Sequence, residues 1–191
     1  FHSLSKKFKF NFKAKDLNKF RKYNTVAVIG MGGSTLGSEA IYFFLEKKIK
    51  KNFLFFDNID EVKLEKLKAR YRLNKILFVI ISKSGNTIET LSNISALKII
   101  RKNSKNIIVI SEKNNNPLYL LSQKMNLFYI EHKDYIGGRY SVLSEVGMVP
   151  AYLMGINILR LRRSILNHLK SKNRRFLRDS STKLANLFIN K

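Results

Sequence analysis

Three short stretches gather the residues able to do chemistry. In Ile80–Thr90, IISKSGNTIET, an apolar β-branched run breaks into Ser82, Lys83, Ser84, Gly85 and Thr87 before a helical pattern takes over. Hydroxyl donors at a strand-to-helix turn add to the unpaired N–H groups and positive dipole end of the helix. That combination suits an oxyanion such as phosphate. The plain alternative is a Ser/Thr cap, with Glu89 and Glu112 as ordinary helix-start or surface carboxylates and Lys83 facing solvent.

Seven of the nine glycines fall in three loops: 30, 32, 33 and 37 in the first, 85 in the second, 137 and 138 in the third. Glycine allows positive φ and close approach of backbone to a bound group. The first loop, GMGGSTLG (30–37), misses dinucleotide-fingerprint spacing because Thr35 stands where a glycine is required, and no G-x-x-x-x-G-K-[ST] phosphate loop exists. The third, GGRYSVLSEVGMVP (137–150), sets Arg139 in a neutral-to-apolar stretch. A guanidinium so placed meets either an oxyanion or a carboxylate, and Glu145 and Asp134 are the ordinary candidates.

These loops need a scaffold. TVAVIG (25–30), NFLFF (52–56), KILFVIIS (75–82), NIIVIS (106–111) and NLFYI (126–130) are near-continuous apolar runs of strand length, separated by helical patterns. Runs without polar alternation fit strands covered on both faces. The order predicts an α/β fold: a doubly wound five-stranded parallel sheet with right-handed crossovers, then C-terminal helices. Ligands in such sheets bind outside the carboxyl ends of the strands. Leu36, Ala40, Phe43 and Phe44 share a helix face, as do Ile88, Leu91, Ile94, Leu97 and Ile100. Asp57 or Asn58 is expected to cap the helix through Val62–Tyr71, and Pro117 to open a short one. After Pro150 the chain reads as helices only. Leu153, Leu159, Leu187 and Phe188 lie on apolar stripes there that stand exposed if nothing covers them.

Bulk composition narrows the classes. The 191 residues, 45% hydrophobic, suffice for one substantial domain. No run approaches the length of a spanning helix, and FHSLSKKFKF lacks the apolar stretch of a signal peptide. The chain opens on Phe1, so the natural start is expected upstream. Absence of cysteine fits a reducing compartment. The net charge of +24 suggests polyanions, yet residues 1–22 carry eight basic groups against one acid and 151–191 ten against one, so the ends hold 16 of it. No nucleic-acid motif accompanies that charge.

Together the three loops resemble the phosphoglucose isomerase family. VIGMGGSTLG, SKSGNTIET and GGRYSVLSEVGMVP are each similar to a family signature and stand in the family's order. SKSGNT resembles the bacterial branch and sugar-isomerase (SIS) domains at large; the motif Gly137–Ser144 is more specific. The resemblance covers about Val26 to Pro150, corresponding to the amino-terminal half of a full member. It implies a flavodoxin-like three-layer SIS domain over 25–150, a basic segment over 1–24, and helices over 151–191 leading toward a second SIS domain.

The resemblance also implies roles. Ser82, Ser84 and Thr87 would bind the 6-phosphate, with Lys83 giving backbone or charge. Gly33, Ser34 and Gly138 would belong to the substrate pocket, and Arg139 would favour the enediolate near C1–C2. The implied reaction interconverts glucose 6-phosphate and fructose 6-phosphate, in glycolysis and gluconeogenesis, with no metal or organic cofactor. The implied setting is a cytoplasmic homodimer without specific nucleic-acid or membrane partners. Family members draw a glutamate base and a histidine and lysine for ring opening from their second half. Beyond Glu145 this chain has only Asp179 and His168 as acid and histidine, so the base is unassigned. His2, His132 and His168 read as surface or packing residues. The rival readings are a non-catalytic sugar-phosphate sensor, another SIS-type isomerase, and a polyanion-binding basic protein.

Overall fold

The computed structural model describes residues 2–5, 7–170 and 174–189. Strands β1 (Thr25–Ile29), β2 (Asn52–Phe56), β3 (Ile76–Ile81), β4 (Ile107–Ser111) and β5 (Phe128–Glu131) form one parallel sheet in the order β2-β1-β3-β4-β5. The helices between them are α2 (Leu36–Leu45), α3 (Glu61–Arg70), α4 (Ile88–Leu97) and α5 (Pro117–Lys124), with a short α1 (Ala14–Leu17) ahead. Helices α6 (Glu145–Leu153), α7 (Ile158–Lys170) and α8 (Arg174–Ile189) follow.

The strand sequences explain the layering. Alternate residues face opposite sides, and both sides are apolar. Val26, Val28, Leu77, Val79, Ile108 and Ile110 pack with Leu17, Phe20, Val146, Val149 and Leu153 on one side. Ala27, Ile29, Phe78, Ile80, Ile107 and Val109 pack with Leu64, Leu67, Ile94, Leu97 and Leu118 on the other. Every residue of the central β3 is fully buried. Since β1 lies between β2 and β3, the chain leaves β1 one way and later crosses back to β3. Right-handed crossovers then set α2 on one face and α3, α4 and α5 on the other. The loops after β1 and β3 diverge there, opening a crevice at the carboxyl edge of the sheet.

Several local readings are corrected. The face of α2 bearing Leu36, Ala40, Phe43 and Phe44 turns outward, Phe44 being 87% exposed. The sheet instead takes Ile41 and Tyr42, the latter against Phe53 and Phe55. On α4, Ile94 and Leu97 are buried as the stripe predicts, but Ile88 is exposed at the crevice rim. The cap of α3 is Asp60, whose carboxylate accepts from the Lys63 amide at 2.9 Å, rather than Asp57 or Asn58. Asp57 pairs with the Lys63 ammonium, and the Asn58 carbonyl accepts from Asn93. Pro117 does open α5, behind the Asn116 cap. Pro150 lies inside α6, which carries Val146, Val149 and Leu153 into the sheet core. Leu153 is thus fully buried, whereas Leu159 and Leu187 are exposed as expected. The side chains of Phe188, His2 and His168 lie outside the described residues.

Candidate functional site

At the carboxyl edge, β3 ends in a turn built around the Ser82 side chain. Its buried hydroxyl accepts the Gly85 amide at 3.1 Å and shares a hydrogen bond with the Thr87 hydroxyl at 2.8 Å. Gly85 sits at φ +68°, where a side chain is disfavoured, and a β-carbon there would collide with the Asn116 amide. Asn116 is itself held: its Oδ1 accepts from the Tyr119 amide and its Nδ2 donates to the Glu112 carbonyl. Thr87 occupies the cap position of α4, yet its hydroxyl bonds Ser82 and makes no cap bond. The first-turn N–H groups of α4 are thus left without that side-chain acceptor, with the positive end of the helix behind them. Ser84 is exposed, its hydroxyl accepting from the Asn86 amide at 3.3 Å. Lys83 is turned sideways: its ammonium pairs with Glu112 at 3.4 Å and donates to the Asp134 carbonyl at 2.8 Å. It thereby ties the loops after β3, β4 and β5 together.

The first loop leaves β1 at Gly30, where a β-carbon would stand 2.5 Å from the Ile81 carbonyl oxygen. The two loops are thus in contact at their roots. A single 3-10 turn, Gly32–Ser34, then leads into α2, with Thr35 fully buried behind it. Gly33 lies directly against Gly138 and the Arg139 amide. The Ser141 hydroxyl accordingly donates toward both the Gly138 carbonyl, at 2.6 Å, and the Gly33 carbonyl, at 3.1 Å. Further along, Val142 fills the space above Gly37, and its carbonyl touches Gly147 of α6. The first and third loops are closed like a seam whose stitches are glycines.

Arg139 projects from this seam into solvent, and among the described residues its guanidinium has no ion-pair partner. The carboxylate alternatives fail on geometry. Glu145 is fully buried and turned the other way, with Lys133 at 3.7 Å and the Asn11 amide donating to it at 2.9 Å. The Asp134 carboxylate accepts its neighbour's amide, that of Tyr135.

Gly33, Gly138 and Arg139 are therefore brought into one cluster, with Ser34 in the same turn. Ser82, Ser84 and Thr87 form a second across the switch point. Sequence reasoning missed Asn116 as the wedge behind Gly85, and Lys133 as the partner of Glu145. The first is visible only as a cap before Pro117; the second has no local signal.

His132 is buried beside this edge. Burial lowers its imidazole below the ordinary 6.5, with Lys83 reinforcing that and Glu112 opposing it. Tyr129, donating to the Ser111 carbonyl at 2.7 Å, is pushed up to about 12 by burial. Among the described residues no group of three or more acidic or histidine side chains is placed to hold a metal ion, and no helix is long and apolar enough to cross a membrane.

Comparison with known proteins follows the same lines. The phosphoglucose isomerase family model matches residues 5–185. The glucose-6-phosphate isomerase of Methanocaldococcus jannaschii is 36% identical over 151 residues, 76% of this chain and 37% of that protein. That of Borreliella burgdorferi is 36% identical over 140 residues, 67% of this chain and 26% of that protein. The chain thus spans little more than a third of the length of these curated relatives, or less. Among solved structures, a glucose-6-phosphate isomerase from Chlamydia trachomatis superposes with a TM-score of 0.63 at 26% identity, covering 78% of this chain and 30% of that one. A hypothetical protein from Thermus thermophilus gives 0.69 at 23% identity, covering 83% and 41%.

Proposed function

The chain belongs to the phosphoglucose isomerase family, and from that premise we propose that it is the sugar-phosphate-binding, amino-terminal part of a glucose-6-phosphate isomerase. The 6-phosphate lies at the start of α4, held by Ser84, Thr87 and the first-turn amides, with Ser82 fixing the turn and Lys83 contributing through its backbone, its ammonium being tied to Glu112. Gly33, Ser34 and Gly138 leave room for the sugar along the seam. Arg139 reaches over C1 and C2, where negative charge grows as the enediolate forms. A fixed cation there stabilises the transition state more than the neutral sugar, which is what raises the rate.

The observation that carries this reading is Arg139, rooted on the Gly33–Gly138 contact beside the loop after β1 and, among the described residues, without an ion-pair partner. Proton transfer between C1 and C2 needs a base within hydrogen-bond reach. We assign it to residues beyond this chain, in keeping with the longer relatives. The same reading makes residues 25–150 the SIS domain, with 1–24 and 151–191 flanking it, and the full-length protein a cytoplasmic homodimer.

The test is an isomerase assay of the full-length protein and its Arg139→Lys variant. Lysine keeps the charge but loses the planar fork, so kcat is expected to fall by about 10²–10³-fold, the scale of one lost oxyanion contact. Wild-type turnover by the variant, or no turnover of fructose 6-phosphate by the parent, overturns the proposal.

A further inference from the structure

The loop that carries Arg139 leaves β5 and returns at the first residue of α6, and its two ends are joined by a buried ion pair. Lys133 stands at its start and Glu145 just after its end, 3.7 Å apart between Nζ and Oε1. Glu145 is fully buried and Lys133 is only 14% exposed. A third segment enters here. The backbone amide of Asn11 donates to the same Glu145 oxygen at 2.9 Å, and the Asn11 side chain accepts from Lys133 at 2.7 Å. The Asn11 side-chain amide also donates to the Glu131 carbonyl at the end of β5.

Arg162 of α7 secures the same strap from outside. Its guanidinium lies 5.0 Å from the Phe8 ring and 4.6 Å from the Phe10 ring, and donates to the Ser3 carbonyl. The N-terminal strap and both ends of the Arg139 loop therefore meet at one carboxylate, and α7 holds the strap from outside.

Stability alone is a poor reason for this arrangement. A buried ion pair is often no better than apolar residues of the same volume, and removing one partner strands the other charge. Among the described residues the Oε2 of Glu145 has no hydrogen-bond partner, so the carboxylate is not fully compensated. What the pair does fix is the separation of the loop's ends. Between them the loop is held by Lys83 on the Asp134 carbonyl, by Ser141 and Gly138 on Gly33, and by Val142 against Gly37. Among the described residues Arg139 has no ion-pair partner, so its direction follows from the backbone between these anchors.

The geometry points to Glu145 as a positioning residue: with Lys133 and Asn11 it forms a clasp that fixes the ends of the loop carrying Arg139 and couples that loop to the N-terminal strap. The assignment of what Arg139 does rests on the isomerase reading; the clasp itself does not.

Two measurements on the full-length protein separate them. Glu145→Gln keeps the shape and the acceptor for Asn11 but removes the charge that holds Lys133. It is expected to lower kcat about 10- to 100-fold, the range that misplacement by about an ångström costs, with KM changed less than about threefold. In an Arg139→Ala background the same substitution is expected to cost nothing further, because the effect runs through Arg139. An equal loss in both backgrounds overturns the coupling. Independently, amide hydrogen exchange over residues 134–144 should rise at least about tenfold in Glu145→Gln, while residues 82–90 stay protected, since the opening is local. Faster exchange in a protein that never isomerises sugar phosphates keeps the clasp and removes the isomerase reading. Unchanged exchange removes the clasp, whatever the activity. If Glu145→Gln does not fold, Lys133→Met opens the clasp from the other end and is read in the same way.

Discussion

Gly33 lies so close to Gly138 that a β-carbon on the first would collide with the carbonyl of the second and stand 2.9 Å from the Arg139 amide nitrogen. The contact joins backbone to backbone, so no rotamer change can relieve it. Gly33→Ala must push the two loops apart, at a cost of about 1–3 kcal/mol typical of overpacking. Because Arg139 is the next residue along, the damage should reach the chemistry. On the proposed function, we expect kcat/KM of the full-length protein to fall more than about tenfold, given the sensitivity of such sites to small displacements. Gly32 is the control. It has φ +52° but open space around it, so Gly32→Ala should cost only backbone strain of about 1–2 kcal/mol. Thermal melts and initial rates for both variants check the contrast. Equal kinetic damage from the two would mean that the seam has no bearing on catalysis.

The turn after β3 makes a separate prediction. Ser84→Ala and Thr87→Ala each remove a hydroxyl from the start of α4, and a hydrogen bond to a charged group is worth about 1.5–3 kcal/mol. Affinity for fructose 6-phosphate should weaken about tenfold or more per substitution, whereas ligands without a phosphate should bind the variants and the parent alike. Calorimetric titration with both ligand types decides it. An unchanged affinity for the phosphate ester would reduce the turn to helix capping.

The chain by itself gives a third test. Leu36, Ile59, Val62, Ile88 and Tyr140 are all more than half exposed on loops or helix starts at the carboxyl edge, where the crevice opens. A purified fragment of residues 1–191 should therefore bind fructose 6-phosphate weakly, and should bind a hydrophobic dye at this edge. With the base assigned beyond this chain by the proposed reading, it should turn over substrate negligibly. Robust isomerase activity in the fragment would show that the proton-transfer group is present within it.

The sheet was legible in the sequence because its inner strands β1, β3 and β4 are buried on both sides, so their runs of apolar residues are almost unbroken. Only the ends drifted: β3 starts at Ile76 and β5 at Phe128, a residue or two inside the apolar runs. Periodicity was less decisive for α2, which is apolar on two sides. It marks Leu36, Ala40, Phe43 and Phe44 as one face without saying that Tyr42, stacked near Phe53 and Phe55, faces the sheet. The loops were legible as motifs, since glycine, serine and arginine at fixed offsets persist in the text of the chain. Their contacts were not. Glu145 and Lys133 meet only because the intervening loop doubles back, and Asn11 reaches them from the opposite end of the chain. Nothing in local sequence distinguishes that pairing from Glu145 with Arg139.

His132 gives a prediction that needs no ligand. Its imidazole is buried and held below 6.5, so the folded chain keeps it neutral over a range where the unfolded chain takes up a proton. The unfolded state then binds more protons, and stability must rise with pH across that interval. Above 6.5 both states are neutral there, and the group adds no slope. As the pH falls from 6.5 toward the depressed value, its contribution is progressively lost. Replacing it by His132→Gln removes the titrating group while keeping a polar side chain of similar reach. Melting temperatures measured from pH 7.5 to 5 should then decline less steeply in the variant than in the parent below 6.5, with the two profiles parallel above it. Parallel profiles through the whole range would mean that the imidazole is hydrated or charged in the fold, contrary to its burial at the end of β5.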